Sequence, residues 1–169
     1  FAASNPTSNG SEWKVLADDC VAILPGDSYQ VQGTYPGLRL APDSVRAVMG
    51  ENVDQAYQAM PMAQYSDKLR YRHMSDQCSG QPQPLTAVVF LSESTTTSLR
   101  TLSGAEALIA LQSQSFTLDP TDLSKTIERI GRFTALIQGG VRMLSLAYPK
   151  NFSALNATET LLLAELSRR

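Results

Sequence analysis

Polar and apolar positions alternate in short blocks through the first half of the chain and in longer ones through the second. Residues 3–11 (ASNPTSNGS) carry almost no apolar side chain and read as a loop. Short apolar runs follow at about 13–17 and 20–24, and the turn chemistry of Pro25-Gly26-Asp27 separates them from a strand through Tyr29, Val31 and Tyr35. Pro36-Gly37 breaks that strand before Leu38, Arg39 and Leu40. Pro42-Asp43-Ser44 then opens a short helix with Val45, Val48 and Met49 on its apolar side and Gly50 as its stop. Residues 51–66 are ambiguous, with a short helix carrying Tyr57 and Met60 as the working expectation.

The period-two pattern Lys68-Leu69-Arg70-Tyr71-Arg72-His73 predicts a strand with Lys68, Arg70 and Arg72 on one face. An edge strand whose cations block aggregation is the plainer expectation, and contact with phosphates or substrate the alternative. The near-continuous run LTAVVFL (85–91) predicts a central buried strand. Ser103-Gly104-Ala105-Glu106 forms a capping box that launches a helix through Leu108, Ile109 and Leu111. The longest helix starts at 119–122. It places Leu123, Ile127, Ile130, Phe133, Leu136 and Ile137 on one face and stops at Gly139-Gly140. A strand over 141–148 and a helix over about 156–168, burying Leu161, Leu162 and Leu166, close the pattern. The fold class is therefore α/β with a mixed sheet, in a single domain spanning 1–169.

Composition narrows the function. With 43% hydrophobic and 18% charged residues the chain is of ordinary globular type. A net charge of −2 argues against nucleic acid as a partner, and no apolar run reaches the roughly 18 to 20 residues needed to cross a bilayer, so no membrane partner is expected either. Cys20 and Cys78 stand in no metal-ligand spacing, and free thiols in a cytoplasmic protein are the simpler reading. The sequons at Asn151 and Asn156 then carry no meaning.

The strongest candidate chemistry is LADDC (16–20), where an apolar run ends in Asp18 and Asp19. Neighbouring carboxylates at a strand tip need compensation by a metal ion, a proton or a cation. Phosphoryl transfer uses such a pair, one acid on Mg²⁺ and one on the attacking hydroxyl. A polar turn between two strands is the plainer alternative. Lys68, Arg70 and Arg72 suit phosphates or an acidic peptide. Arg39 is divided between lining the site and a surface salt bridge. His73 reads as a solvated histidine, Cys20 as a small buried residue, Trp13 and the tyrosines as packing, and SESTTTS (92–98) as a polar turn.

Taken in order, LADDCVAI (16–23), YPGLRLAPDSV (35–45), Asp67-Lys68, PLTAVVFL (84–91), LSGAEAL (102–108) and the final strand and helix from Val141 to Leu166 resemble the kinase domain of the HPr kinase/phosphorylase group. The similarity is greatest to the bacterial HPr-kinase-related serine kinases. That resemblance implies a phosphoenolpyruvate-carboxykinase-like nucleotide-binding fold, with ATP and Mg²⁺ as cofactors. It implies phosphate transfer to a serine on a protein or peptide, and a homo-oligomer as a possible assembly. It places Asp18 and Asp19 jointly as catalytic base and metal ligands, and it matches Lys68 to a family lysine, which with Arg39 and Arg70 makes the expected phosphate-binding set. Two departures qualify it. Thr34 stands near the place of a family acid, and no GxxxxGK[ST] phosphate loop occurs in the 169 residues. Phe1-Ala2-Ala3 resembles the end of the helix that follows such a loop, so the loop is expected upstream of Phe1. A non-catalytic, partner-binding member of the fold is the runner-up, and a small-molecule kinase or carboxykinase-like enzyme the third reading.

Overall fold

The computed structural model describes residues 16–34, 37–49, 57–61, 67–73, 81–117, 119 and 121–168. Among these, the chain is mixed α/β, with three three-stranded sheets and four helices. They divide into two compact units. One comprises residues 1–26 and 30–84, the other 27–29 and 85–169.

The first unit holds two sheets. In one, β1 (Val21–Leu24) pairs antiparallel with β2 (Gln30–Gly33), and β2 pairs with β6 (Gln83–Pro84). The bend after Pro25 that the turn residues predict is present. Gly33 sits where the chain passes close behind it: a Cβ at that position would run into the Leu16 carbonyl oxygen. In the other sheet, β3 (Leu38–Leu40), β5 (Leu69–His73) and β4 (Tyr57–Pro61) lie side by side in that order, all antiparallel. Two expectations are corrected here. Residues 57–61 form a strand rather than a helix, because β5 offers them a full antiparallel ladder from Tyr57↔His73 to Pro61↔Leu69. And β5 is the central strand, not an edge. Its Tyr71 is buried opposite Leu38 and Ala59, which gives the sheet one apolar face. The helix α1 (Pro42–Met49) follows β3 with Pro42 at its first position and Val45 buried; the side chains of Val48 and Met49 lie outside the described ones.

The second unit is built on β9 (Arg142–Tyr148). It runs parallel to β7 (Ala87–Glu93) on one side and antiparallel to β8 (Ser98–Thr101) on the other. The apolar run at 85–91 is thus an outer strand of this sheet among the described residues, and β9 holds the centre with Met143, Leu144 and Leu146 buried. The polar 94–97 segment carries the chain past the end of β9, where the Ser94 amide bonds the Tyr148 carbonyl at 3.0 Å. Helices α2 (Gly104–Gln114) and α3 (Leu123–Gln138) cover the core through Ala107, Leu111 and Leu136, with Phe133 and Ile137 packed beside them.

The apolar stripe of α3 is buried only at its C-terminal end. Leu123 and Ile127 are 74% and 70% exposed, and Ile109 of α2 is exposed as well. The last helix, α4 (Leu155–Leu166), follows a single 3₁₀ turn at Phe152–Ala154. Its buried residue is Thr158, while Leu161 is exposed and Leu162 and Leu166 are half-buried, so the expected leucine face is only partly covered. Arg142 ties this helix to β9. Its guanidinium donates to the carbonyls of Glu165 at 2.9 Å, Leu166 at 3.0 Å and Arg168 at 3.1 Å, groups that a helix end otherwise leaves unpaired.

The capping box forms as its sequence predicts. Ser103 Oγ accepts from the Glu106 amide at 3.3 Å, and Glu106 Oε2 accepts from the Ser103 amide at 2.9 Å. The Arg100 guanidinium, 2.9 Å from Glu106 Oε1, together with the Ser103 amide and hydroxyl, holds the Glu106 carboxyl down at about 2. A carboxyl depressed from 4.5 in this way stabilises the folded state above its unfolded value, and that contribution is lost as the pH falls from 4.5 toward 2. Glu106→Gln is therefore expected to flatten the stability–pH curve over that window, as read by urea unfolding at a series of pH values. In the core, Leu144→Ala is expected to cost about 2–5 kcal/mol in the same experiment. Leu91→Ala, at a side chain 56% exposed on the outer strand, should cost about 1 kcal/mol or less.

Candidate functional site

Asp18 and Asp19 lie in a bend between Ala17 and the start of β1, inside the first unit. Asp18 is fixed by backbone as well as by charge. Its Oδ2 accepts from the Arg39 amide at 2.9 Å and lies 3.6 Å from Arg39 Nε. The same guanidinium pairs through its Nη2 with Asp19 Oδ2. Both acids are thus gathered onto one arginine at the middle of β3, 21 positions from Asp18. The Asp18 and Arg39 side chains are each about one-third exposed, at 32% and 31%, and that of Asp19 is 53% exposed. Such pairs are screened by solvent and contribute little to stability one by one.

Register places the other candidates. Arg39 faces Arg70 across β3 and β5, and Arg70 faces Met60 across β5 and β4. Residues opposite one another on paired strands share a face, so Arg39, Arg70 and Met60 form one row. Arg72, two positions along β5, faces Gln58 in the next row; Lys68 is exposed immediately before the strand. All five expected site residues, Asp18, Asp19, Arg39, Lys68 and Arg70, therefore belong to the same unit. Four of them meet around the β3–β5 pair, with Lys68 at its entrance. Arg39 resolves as a partner of both acids. Arg70 has no ion-pair partner among the described residues.

Local geometry accounts for this convergence. Gly37 adopts φ +115° at the entrance to β3, a backbone region that side chains disfavour, and a Cβ there would lie 2.9 Å from the Tyr71 carbonyl oxygen and 3.3 Å from Cγ of Arg70. Glycine thus lets β3 approach β5 closely enough to bring Arg39 opposite Arg70. Thr34 donates from its hydroxyl to the Cys20 carbonyl at 2.7 Å and ties the end of β2 to the residue after the acids. The sequence carried no sign of that bond, nor of the Asp18–Arg39 amide bond. Cys20 is a free, exposed thiol rather than a buried one, since its neighbours in the bend leave it uncovered. Cys78 and Trp13 fall outside the described residues, as does the side chain of His73. Among the described residues no three or more His, Cys, Asp or Glu side chains cluster as a metal set, and no helix is long and apolar enough to cross a membrane.

Comparison of the chain with protein-family models, with curated proteins and with solved structures returned no match.

The backbone device at Gly37 is expected to matter more to this unit than the ion pairs. Gly37→Ala should cost about 1–3 kcal/mol through strain and contact with β5. Arg39→Gln should cost about 0–1 kcal/mol and lose that effect as salt rises. Denaturant melts at low and high ionic strength, followed by amide exchange of β3 and β5, would check both.

Proposed function

We propose that the first unit carries the acceptor side of an ATP- and Mg²⁺-dependent serine kinase of the HPr-kinase-related type, on a phosphoenolpyruvate-carboxykinase-like fold. One observation carries this reading: two adjacent carboxylates and two arginines, residues 18, 19, 39 and 70, converge on one pair of strands. Phosphoryl transfer needs that mixture, anions to take a proton and hold a metal, cations to balance charge on the transferring group.

The donor set suits Mg²⁺, which takes one or two carboxylates and completes its shell with water and phosphate oxygens. Asp18 and Asp19 are the residues that would hold it. Bound there, the ion would neutralise phosphate charge. The rest of the chemistry belongs to the side chains. Asp18 or Asp19 accepts the proton of the attacking serine hydroxyl. Arg39, already against both acids, orients them and offers the transferring phosphate a second cation, with Arg70 opposite and Lys68 at the strand entrance. The nucleotide's own cradle is not among these residues, since the 169 contain no GxxxxGK[ST] loop. The reading thus requires such a loop elsewhere in the gene product. A cytoplasmic setting, a protein or peptide acceptor and a possible homo-oligomer complete the proposal.

A second reading is favoured by the same arginine. Arg39 engages both carboxylates and Thr34 bonds Cys20, so the bend also works as a self-compensated structural lock in a non-catalytic, partner-binding member of the fold. One experiment separates the two. Transfer of labelled γ-phosphate from ATP to serine-containing protein is measured with the native gene product and with Asp18→Asn, Asp19→Asn. The kinase reading expects transfer to fall at least about a hundredfold, from loss of general-base catalysis, with the melting temperature little changed. Equal transfer in both proteins removes the acids from the mechanism. No transfer in either, with a lowered melting temperature in the variant, favours the lock.

A further inference from the structure

We propose that the second unit pairs with a second copy of this chain, edge to edge along β7 and flank to flank along α3. No residue of the candidate site takes part, so the proposal stands apart from the kinase reading. β7 is seven residues long and carries no Lys, Arg or Pro, the residues that keep an exposed edge from pairing. The other outer strands are blunted. β4 ends in Pro61 and β6 in Pro84, β3 and β8 are three and four residues with Arg39 and Arg100 inside them, and β1 is four residues. Only one edge of β7 is used over its length. The Thr86 carbonyl accepts from the Arg142 amide at 3.1 Å and the Ser94 amide donates to the Tyr148 carbonyl at 3.0 Å, so even-numbered residues turn their backbone groups toward β9. The odd-numbered Leu85 turns the other way and donates to the Tyr29 carbonyl at 2.9 Å. The backbone groups of Ala87, Val89, Leu91 and Glu93 therefore point outward, unpaired among the described residues.

The exposed stripe of α3 lies on the same side. Phe133, Leu136 and Ile137 pack in the cluster that holds Val88 and Phe90 of β7, while Arg129 reaches the end of α2 through Gln112 at 3.3 Å and Thr117 at 2.5 Å. At about 100° per residue, Ile127 stands roughly 160° around the helix from Arg129. It is on the flank away from α2, with Leu123 and Ile130 beside it. Because α2 follows β8 at the far side of the sheet, that flank is the one above the open edge of β7. Gly131 and Thr134 extend it without a charge.

A two-fold axis unites both features: the two β7 strands run antiparallel and the two α3 flanks meet above them. Phe90 opposite its own copy puts Val89 against Leu91 and Ala87 against Glu93, so that every outward group falls in a hydrogen-bonded pair. The two glutamates then stand at opposite ends of the ladder. Sliding one way would set Glu93 against itself, a repulsive pair. Sliding the other way would put the second copy's Glu93 opposite Leu85, a place that Tyr29 already fills. The central register leaves Tyr29 undisturbed, since the chain leaves β7 after Glu93 and passes the end of β9 toward β8.

The test is sedimentation equilibrium of the full-length protein, which should be a dimer at about 10 µM. Leu91→Lys and Ile127→Lys, at side chains 56% and 70% exposed, should each raise the dimer dissociation constant at least about tenfold, because each buries an unpaired charge on pairing. Ile109→Lys, at a side chain 71% exposed on α2, should leave the dimer as it was. A protein that remains a monomer at about 100 µM overturns the proposal, and so does a dimer that either of the first two variants leaves intact. If those variants fail to fold by circular dichroism, amide exchange of the unmodified protein decides. Protection of the Val89 and Leu91 amides that rises with protein concentration supports the paired edge; exchange independent of concentration overturns it.

Discussion

The pairing register of β5 governs the first unit. A strand has two faces and a period of two, so burying Tyr71 between Leu38 and Ala59 commits Arg70 and Arg72 to the opposite side. A slip of one residue would bury two guanidinium groups and expose the tyrosine. Desolvating those charges would cost far more than the sheet gains, and the arrangement is correspondingly specific. Arg39 then meets Arg70 as a geometric consequence. The acidic bend at 18–19 is what makes that meeting of like charges tolerable.

Much of this was legible in the sequence because the signals are local. The alternation at 68–73 marks a two-faced strand, Pro42-Asp43-Ser44 marks a helix start, and Ser103 with Glu106 marks a cap that forms bond for bond. What was not legible depends on partners distant in sequence. The segment 57–61 has no alternation, and only the ladder offered by β5 makes it a strand. The runs at 85–91 and 141–148 look alike as strings of apolar residues, and nothing in either says that the second lies at the centre. On α3, periodicity identifies Leu123, Ile127 and Leu136 as one side of a helix. It is silent on how far along that side the sheet extends, and only the C-terminal end is covered.

The candidate site divides in the same way. Two adjacent acids are conspicuous in any sequence, but their binding to a guanidinium and a backbone amide 21 residues away is a product of folding. Arg39 was evenly balanced between two roles when read from GLRL alone. Its place against both carboxylates now serves either reading, as part of a reacting centre or as the counter-ion of a turn. Thr34 adds a contact of the same kind: its hydroxyl bonds the Cys20 carbonyl and closes the loop around the acids, a link that neither residue announces in the sequence.

The central position of β9 has a consequence for how the second unit comes into being. Ala87 pairs with Arg142, and Ser98 with Ala147, so neither outer strand has its neighbour until synthesis has passed the two helices between them and β9. During translation, β7 emerges as a largely apolar ribbon with open hydrogen-bonding edges, and it stays so for about 50 further residues at roughly 5–20 residues per second, seconds in which a nascent chain is open to wrong partners. The order of its strands thus lengthens the interval in which this half of the molecule can meet wrong partners.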